Sequence, residues 1–294
     1  LCGVTSVYQY AVAVYPDERG CGQVSTVDAI SGHRGPARTS LADPEVRLST
    51  DGSTVLSYGD SRLEQWRSDV VRMISYGYLD ARVKPGVPAT PLCRLVSAAA
   101  SPSSVAVMEA CPGQSDMRLT LLKPGKEEDQ PDIKRVTQSG VSPDSDAQVI
   151  AVADTKVAVY VPTPTPSVNV IDETGSTIAS TVLPRPAAPV TAMTRAGNYI
   201  TWYTGDSVVV LDSALNYKYT VSPAGNQAPI GPATVMAGRL LVPVTSGYDT
   251  FDAETGAPRT HIALSRTPVN TAVIPAVAGS TVVEQRGNQL VALG

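Results

Sequence analysis

Short apolar runs recur along the whole chain, each about five residues long and separated from the next by Gly, Pro, Asp or Ser. Runs of this length with turn residues between them are typical of β-strands joined by tight turns. From Glu45 the first four, at residues 46–50, 54–58, 62–66 and 70–76, predict an antiparallel meander. The grouping recurs at 95–137, 149–183, 190–221 and 233–265, and the chain closes with three runs at 273–277, 281–285 and 289–293.

No window of twelve or more residues keeps an apolar period of 3.6, and 24 Pro and 23 Gly interrupt every candidate helix. The sequence therefore predicts an all-β fold. Many short strands with a period near 40 residues are typical of a β-propeller built from four-stranded antiparallel blades.

The third strand of each group can be aligned, and four of the copies end in an Asp, at positions 28, 172, 212 and 252, of which the last three are 40 residues apart. A carboxylate at a strand end accepts hydrogen bonds from backbone N–H groups further along the turn. A following Gly tolerates the positive φ that such a turn needs. We therefore interpret these Asp and Gly residues as turn formers, and Asp28 with Gly32 resembles them.

The turns Asp172-Glu-Thr-Gly175 and Asp252-Ala-Glu-Thr-Gly256 resemble the repeats of pyrroloquinoline-quinone-type β-propellers, which also build non-enzymatic envelope assembly scaffolds. The Trp of that family's fourth strand is missing, and Ile178, Tyr219 and His261 lie in that region. The segments that begin at Cys21, Asp51 and Leu63 make the whole chain similar to membrane-anchored, extracytoplasmic propeller proteins of actinobacterial envelopes with WD-like repeats.

Seven third strands predict seven blades in a single domain, residues 1–294. Residues 1–44 are either a whole N-terminal blade or an arm whose strand closes the last blade. The second reading gives six blades and is the alternative.

The chain is 43% hydrophobic and 17% charged, with a net charge of −4 and a pI near 5.2. It can bury a sizeable core, and the acidic balance argues against nucleic-acid binding, which needs a basic face. It contains four cysteines and two histidines. No CxxC pair is present, so we predict no zinc site.

The cysteines form two local pairs, and the simplest of three connectivities joins Cys2 to Cys21 and Cys93 to Cys111. These bonds imply an oxidising compartment; the alternative is four buried free thiols. We expect an extracytoplasmic protein, secreted or tethered to the cell membrane. The segment before Leu1 would be a transmembrane helix or a lipoprotein signal in a tethered protein, or a cleaved signal peptide in a secreted one.

Candidate catalytic chemistry is sparse. His33 follows a turn Gly and His261 lies on an outer strand, so both are interpreted as surface residues, and no Ser-His-Asp triad is predicted. A quinone cofactor needs stacking aromatics, and only 5% of residues are aromatic. Asp144 and Asp146 lack a full calcium loop. We therefore assign no catalytic, cofactor-binding or metal-binding residues and no cofactor.

The first functional hypothesis is a non-catalytic, monomeric scaffold that binds an envelope protein or a cell-wall component through loops at one face. The irregular connections 77–94 and 124–148 are the candidate contact loops, and 124–132 is predicted to be a solvated polar loop. The alternative is a hydrolase or lyase acting on an envelope glycan in the central channel.

Overall fold

A computed structural model describes residues 1–78, 93–127, 130–189, 191–225, 227–266, 271–287 and 289–293. The regular elements within these ranges are 27 β-strands. In the same ranges, nothing helical has the length and apolar character needed to cross a membrane. The chain divides into two compact units, residues 1–163 with 168–180, and residues 164–167 with 181–294.

The first unit carries four sheets, and each has four antiparallel strands in sequence order. The first sheet contains β1 (Gly3–Val7), β2 (Tyr10–Asp17), β3 (Gly20–Asp28) and β4 (Arg34–Thr39), and the second contains β5 (Arg47–Thr50), β6 (Thr54–Tyr58), β7 (Arg62–Arg67) and β8 (Arg72–Gly77). The third contains β9 (Arg94–Ser101), β10 (Ser104–Ala110), β11 (Arg118–Glu127) and β12 (Gln130–Thr137), and the fourth contains β13 (Gln148–Ala153), β14 (Lys156–Val161), β15 (Ser167–Ile171) and β16 (Thr177–Val182).

The second unit carries two four-stranded sheets and one that has three strands in the described ranges. The fifth sheet contains β17 (Ala192–Ala196), β18 (Tyr199–Tyr203), β19 (Val208–Asp212) and β20 (Tyr217–Val221), and the sixth contains β21 (Thr234–Met236), β22 (Arg239–Val244), β23 (Gly247–Asp252) and β24 (Pro258–Ala263). The seventh contains β25 (Val273–Ala278), β26 (Thr281–Arg286) and β27 (Gln289–Leu293).

Neighbouring sheets within each unit pack face to face, because the middle strands are apolar on both faces. Val12 and Val14 of the first sheet share a buried cluster with Val55 and Trp66 of the second. In the second unit, Val208 and Val210 of the fifth sheet belong to one cluster with residues of the sixth, namely Leu240 and Val242. The fourth strand of the sixth sheet is solvent-exposed along its whole length, since every residue of β24 is exposed.

The fold is an all-β, seven-bladed β-propeller of mostly four-stranded antiparallel sheets. The prediction of seven blades is confirmed and the six-blade alternative is wrong, because residues 1–44 contain a complete four-stranded sheet. Two strands of that sheet, β1 and β4, were missed by the sequence pattern. Neither β1, Gly-Val-Thr-Ser-Val, nor β4, Arg-Gly-Pro-Ala-Arg-Thr, contains a continuous apolar run.

Candidate functional sites

The recurring Asp residues are turn formers, as predicted. In each turn one carboxylate oxygen, Oδ1, accepts hydrogen bonds from two backbone N–H groups that follow it. The donors are residues 174 and 176 for Asp172, residues 214 and 216 for Asp212, and residues 254 and 255 for Asp252. Asp28 does the same with the N–H groups of residues 30 and 31. Hydrogen bonds from Arg259 and Thr255 lower the pKa of Asp252 to about 2. These four carboxylates are therefore committed to local structure.

The solvated loop predicted at 124–132 is wrong as a loop, because its described residues lie in strands; of the candidate contact connection 124–148, residues 138–147 lie outside the strands. Strands β11 and β12 continue past the rest of their sheet, with Lys123 paired to Asp132 and Glu127 paired to Gln130. The ladder between β10 and β11 ends at the pair Val105 and Leu122. Residues 123–127 and 130–132 thus form a two-stranded projection, here called the arm. Of the other predicted contact loop, residues 79–92 lie outside the described residues.

The four cysteines are bonded in the structure in two pairs, Cys2 with Cys21 and Cys93 with Cys111. Both bonds are local, with sequence separations of 19 and 18 residues. Two disulfides indicate an oxidising environment. Asp144 and Asp146 are exposed in a turn, and the described residues contain no group of three or more His, Cys, Asp or Glu side chains positioned to hold a metal ion.

Three buried carboxylates were not anticipated from the sequence. The first is Glu64 on β7, which is 3% exposed. Its Oε1 accepts hydrogen bonds of 2.9 Å from Nη2 of Arg62 and from Nη1 of Arg72. Its Oε2 accepts a 2.9 Å bond from the indole of Trp66, and Nη2 of Arg38 lies 3.9 Å away. Burial raises the pKa of Glu64, but the charge of Arg62 and the hydrogen bonds outweigh burial, so the pKa lies below its ordinary value.

Glu109 on β10 is the second, at 1% exposure. It accepts a 2.8 Å hydrogen bond from the hydroxyl of Tyr76 and a 2.9 Å bond from Nε of Arg118, its cross-strand partner. Thr120 donates a third bond to the same carboxylate. Every donor comes from a strand of the second or third sheet, so Glu109 joins two blades of the first unit.

Glu284 on β26 is fully buried. It accepts hydrogen bonds from Nε and Nη2 of Arg266, from Nε of Arg286 and from the hydroxyl of Tyr248. Burial raises the pKa of Glu284, and these donors together bring it below its ordinary value. Like the other two, this carboxylate is saturated with donors, so its role is structural.

The sequence held a signal for two of these sites. Arg62 and Glu64 are two residues apart on one strand, as are Glu284 and Arg286. Residues at this spacing point to the same face of a strand. Opposite charges in that arrangement inside an apolar strand indicate a buried ion pair.

His261 lies on the exposed outer strand β24, as predicted, and His33 is exposed between β3 and β4. The sequence reasoning missed the partners of His261. Its Nδ1 lies 2.8 Å from Oδ1 of Asp249, and its Nε2 lies 3.3 Å from Oγ of Ser246. The amide of Gln227 donates a 2.7 Å hydrogen bond to the same Oγ. These contacts depend on strand register, which the spacing of the residues in the sequence did not reveal.

No protein-family model matches the chain, and no curated protein matches it. Solved structures match it in fold. BamB from Moraxella catarrhalis is 15% identical, with a TM-score of 0.56, over 99% of this chain and 83% of that one. A chain of the mitotic checkpoint complex is 9% identical, with a TM-score of 0.56, over 96% and 82%. The Cps50 (Swd1) β-propeller domain of Myceliophteria thermophila is 11% identical, with a TM-score of 0.57, over 98% and 93%. At these identities the likeness shows the propeller fold.

Proposed function

We propose that this protein is a binding scaffold of the cell envelope that holds an envelope protein through the arm of its third blade. The observation that carries the proposal is the arm itself. It is the place where β11, ten residues long, leaves the four-stranded plan of the fold. A two-stranded ribbon is marginally stable by itself in water, so its extension beyond the sheet calls for a reason other than stability.

The side chains of the arm favour contact with a polar protein surface. Both charge signs are present, with Lys126 and Glu127 exposed near the tip and Asp132 exposed on the returning strand. Pro124 and Pro131 lie on the two strands. Proline and charge at a strand edge oppose pairing with another strand. The arm would therefore bind through side chains and not by adding a strand to its partner.

The rest of the molecule supports a rigid display of this arm. Glu109 and its donors tie the third sheet to the second, and Leu119, Leu121 and Leu122 bury the base of β11. A contact element on a rigid base loses little conformational entropy on binding. The two disulfides support the extracytoplasmic location. The similar chain from the mitotic checkpoint complex belongs to a multiprotein assembly, which agrees with a scaffold role.

The arm can be removed cleanly, because Lys123 and Asp132 are directly paired across the two strands. Replacing residues 124–131 with Asn-Gly closes the hairpin at that pair with a two-residue turn. The matched control replaces Pro102-Ser103 of the same sheet with Asn-Gly. These residues are the two-residue turn between the paired Ser101 and Ser104.

Partners would be captured by cross-linking on intact cells that express each variant. We expect the parent and the control to capture the same envelope protein and the shortened variant to lose it. Capture that is unchanged by shortening the arm would refute the role of the arm. A parent that captures no specific protein would refute the scaffold function itself.

A further inference from the structure

A serine, a histidine and an aspartate lie in contact on the sixth sheet. The histidine lies between the other two, as it does in the catalytic triad of acyl-transfer enzymes. Ser246 lies in the turn between β22 and β23, Asp249 lies on β23 and His261 on β24. The imidazole Nδ1 is 2.8 Å from the carboxylate of Asp249 and Nε2 is 3.3 Å from Oγ of Ser246. In a Ser-His-Asp triad the carboxylate orients the imidazole, whose other nitrogen takes the serine proton.

The backbone holds these three side chains in place. Asp249 and His261 are direct cross-strand partners, so their side chains share one face of the sheet. The turn contains only two residues, because Val244 pairs with Gly247. Gly247 admits no side chain, since a Cβ there would lie 2.0 Å from the carbonyl oxygen of Ile262.

Further hydrogen bonds fix the turn that carries Ser246. The N–H of Leu264 donates to the carbonyl of Ser246 at 2.9 Å. The guanidinium of Arg266, itself held by the buried Glu284, donates to the carbonyls of Val244 and Gly247. A nucleophile in a turn that is bonded on both sides is positioned before a substrate arrives.

We propose that Ser246 is a nucleophile for acyl transfer, with His261 as its general base and Asp249 as the positioning residue. Oγ of Ser246 attacks the carbonyl carbon of an ester while its proton moves to Nε2 of His261. The C–O bond to the alcohol then breaks, and the alcohol leaves with that proton. Water attacks the acyl-serine while His261 takes a proton from it. The bond between the acyl carbon and Oγ then breaks, His261 returns the proton to Oγ, and the carboxylic acid and the free serine are released.

Gln227 bears on this chemistry in two ways. Its Nε2 lies 2.7 Å from Oγ, which places an amide N–H donor beside the nucleophile, and in this proposal that donor stabilises the oxyanion that forms next to Oγ. Its Oε1 lies 3.1 Å from Oγ and offers the serine hydroxyl a second acceptor beside His261.

The surroundings define the substrate class. Ser246 is exposed, and the side chain of His261 is 38% exposed. An open site on an outer strand gives little binding energy, so the KM should be high and the selectivity low. The chemistry fits acyl esters that are accessible from solvent. This activity would be additional to binding through the arm, and it does not depend on the arm.

The test uses a fluorophosphonate probe on the intact protein, followed by peptide mass spectrometry. Attack by Oγ on phosphorus expels fluoride and leaves a stable adduct on Ser246. Variants Ser246→Ala, His261→Gln, Asp249→Asn and Asp249→Glu are compared, with His33→Gln as the matched control, since the chain has two histidines. Hydrolysis of p-nitrophenyl acetate is measured in parallel.

We expect an adduct on Ser246 that His33→Gln leaves intact and His261→Gln reduces by about a hundredfold, since a general base contributes about 10²–10⁴ in rate. Asp249→Asn should reduce labelling, whereas Asp249→Glu, which keeps the carboxylate, should retain most of the labelling of the parent. A purely structural role of Asp249 would not require this difference between the two variants. The proposal is overturned if Ser246 carries no adduct, or if labelling is equal in His261→Gln. Ester hydrolysis that survives Ser246→Ala but not His261→Gln would show direct catalysis by the imidazole and would also overturn it.

Discussion

Replacing Glu64 with Gln should destabilise the first unit of the propeller. The substitution keeps the shape of the side chain and removes its charge, while Arg62, which is 6% exposed, stays buried beside it. Both bonds to Oε1 come from guanidinium groups, those of Arg62 and Arg72. Removing one partner of a buried ion pair leaves the other charge without compensation, which is the costly case.

The magnitude follows from these contacts. A hydrogen bond to a charged group contributes about 1.5–3 kcal/mol, so the two guanidinium bonds to Oε1 contribute about 3–6 kcal/mol together. The Gln carbonyl can still accept one of them as a neutral group, which offsets about 0.5–1.5 kcal/mol of that loss. We therefore expect the free energy of unfolding to fall by about 3–5 kcal/mol, in agreement with measured losses for broken buried pairs.

Urea unfolding followed by tryptophan fluorescence would measure this loss. The chain has two tryptophans, Trp66 and Trp202, so a Trp202→Phe background leaves Trp66 as the reporter in both proteins. Its indole donates to Glu64 directly. The matched control is Glu18→Gln, because Glu18 is an exposed carboxylate of the same unit. That change should stay within about 0.5 kcal/mol.

The dependence on pH provides a second check. The pKa of Glu64 is lower in the folded protein than its ordinary value of 4.5. The charge therefore stabilises the fold fully above that value, and this contribution is lost as the pH falls through the folded pKa. The gap between the parent and Glu64→Gln should be complete at pH 7 and narrow in acid. A gap below about 1 kcal/mol at pH 7, or one that does not change in acid, would refute the assignment of a buried, ionised Glu64.

Three further predictions concern single features of the blades. Non-reducing peptide mapping should find Cys2 bonded to Cys21 and Cys93 bonded to Cys111. Free thiols at these positions would contradict an oxidising compartment. Gly256→Ala should cost about 2 kcal/mol in thermal or urea unfolding, because φ there is 72° and a Cβ would lie 2.6 Å from the ring of Tyr219. Gly279 has a φ of 62°, and a Cβ there would have no atom within 4 Å. Gly279→Ala should therefore lower the free energy of unfolding by less, and an equal loss in both variants would contradict the clash with Tyr219. Glu284→Gln should cost about 3–5 kcal/mol, because Arg266 would lose its buried partner, and a loss below about 1 kcal/mol would contradict that pairing.

The sequence predicted the blades because their turns are encoded locally. Asp252 accepts the hydrogen bonds of the turn and Gly256 adopts its positive φ. Both lie within five residues, so the recurring pattern can be recognised without knowing any long-range contact. The same local rule fails at the turn after Asp212. There Leu215 takes the left-handed conformation, with a φ of 67°. It is 1% exposed, so burial of its side chain compensates for a backbone cost that Gly would avoid.

The candidate sites could be predicted less well, because they depend on which strands lie side by side. Glu109 meets Arg118 across two strands, and Tyr76 reaches it from another sheet. Ser246 and His261 are 15 residues apart and meet because of the pairing between β23 and β24. The arm was misread for a different reason: its charged and Pro-rich composition is typical of a loop, and strand pairing overrides that composition.

The sheets of this protein are assembled from strands that are consecutive along the chain. The disulfides Cys2–Cys21 and Cys93–Cys111 each close a loop of fewer than 20 residues. Closing such a short loop costs little chain entropy. Among the described residues, the partners of every strand in a sheet and of every cysteine therefore lie within one blade. Each blade can therefore complete its own strand pairing, and the first and third blades their own disulfide, from one continuous stretch of chain.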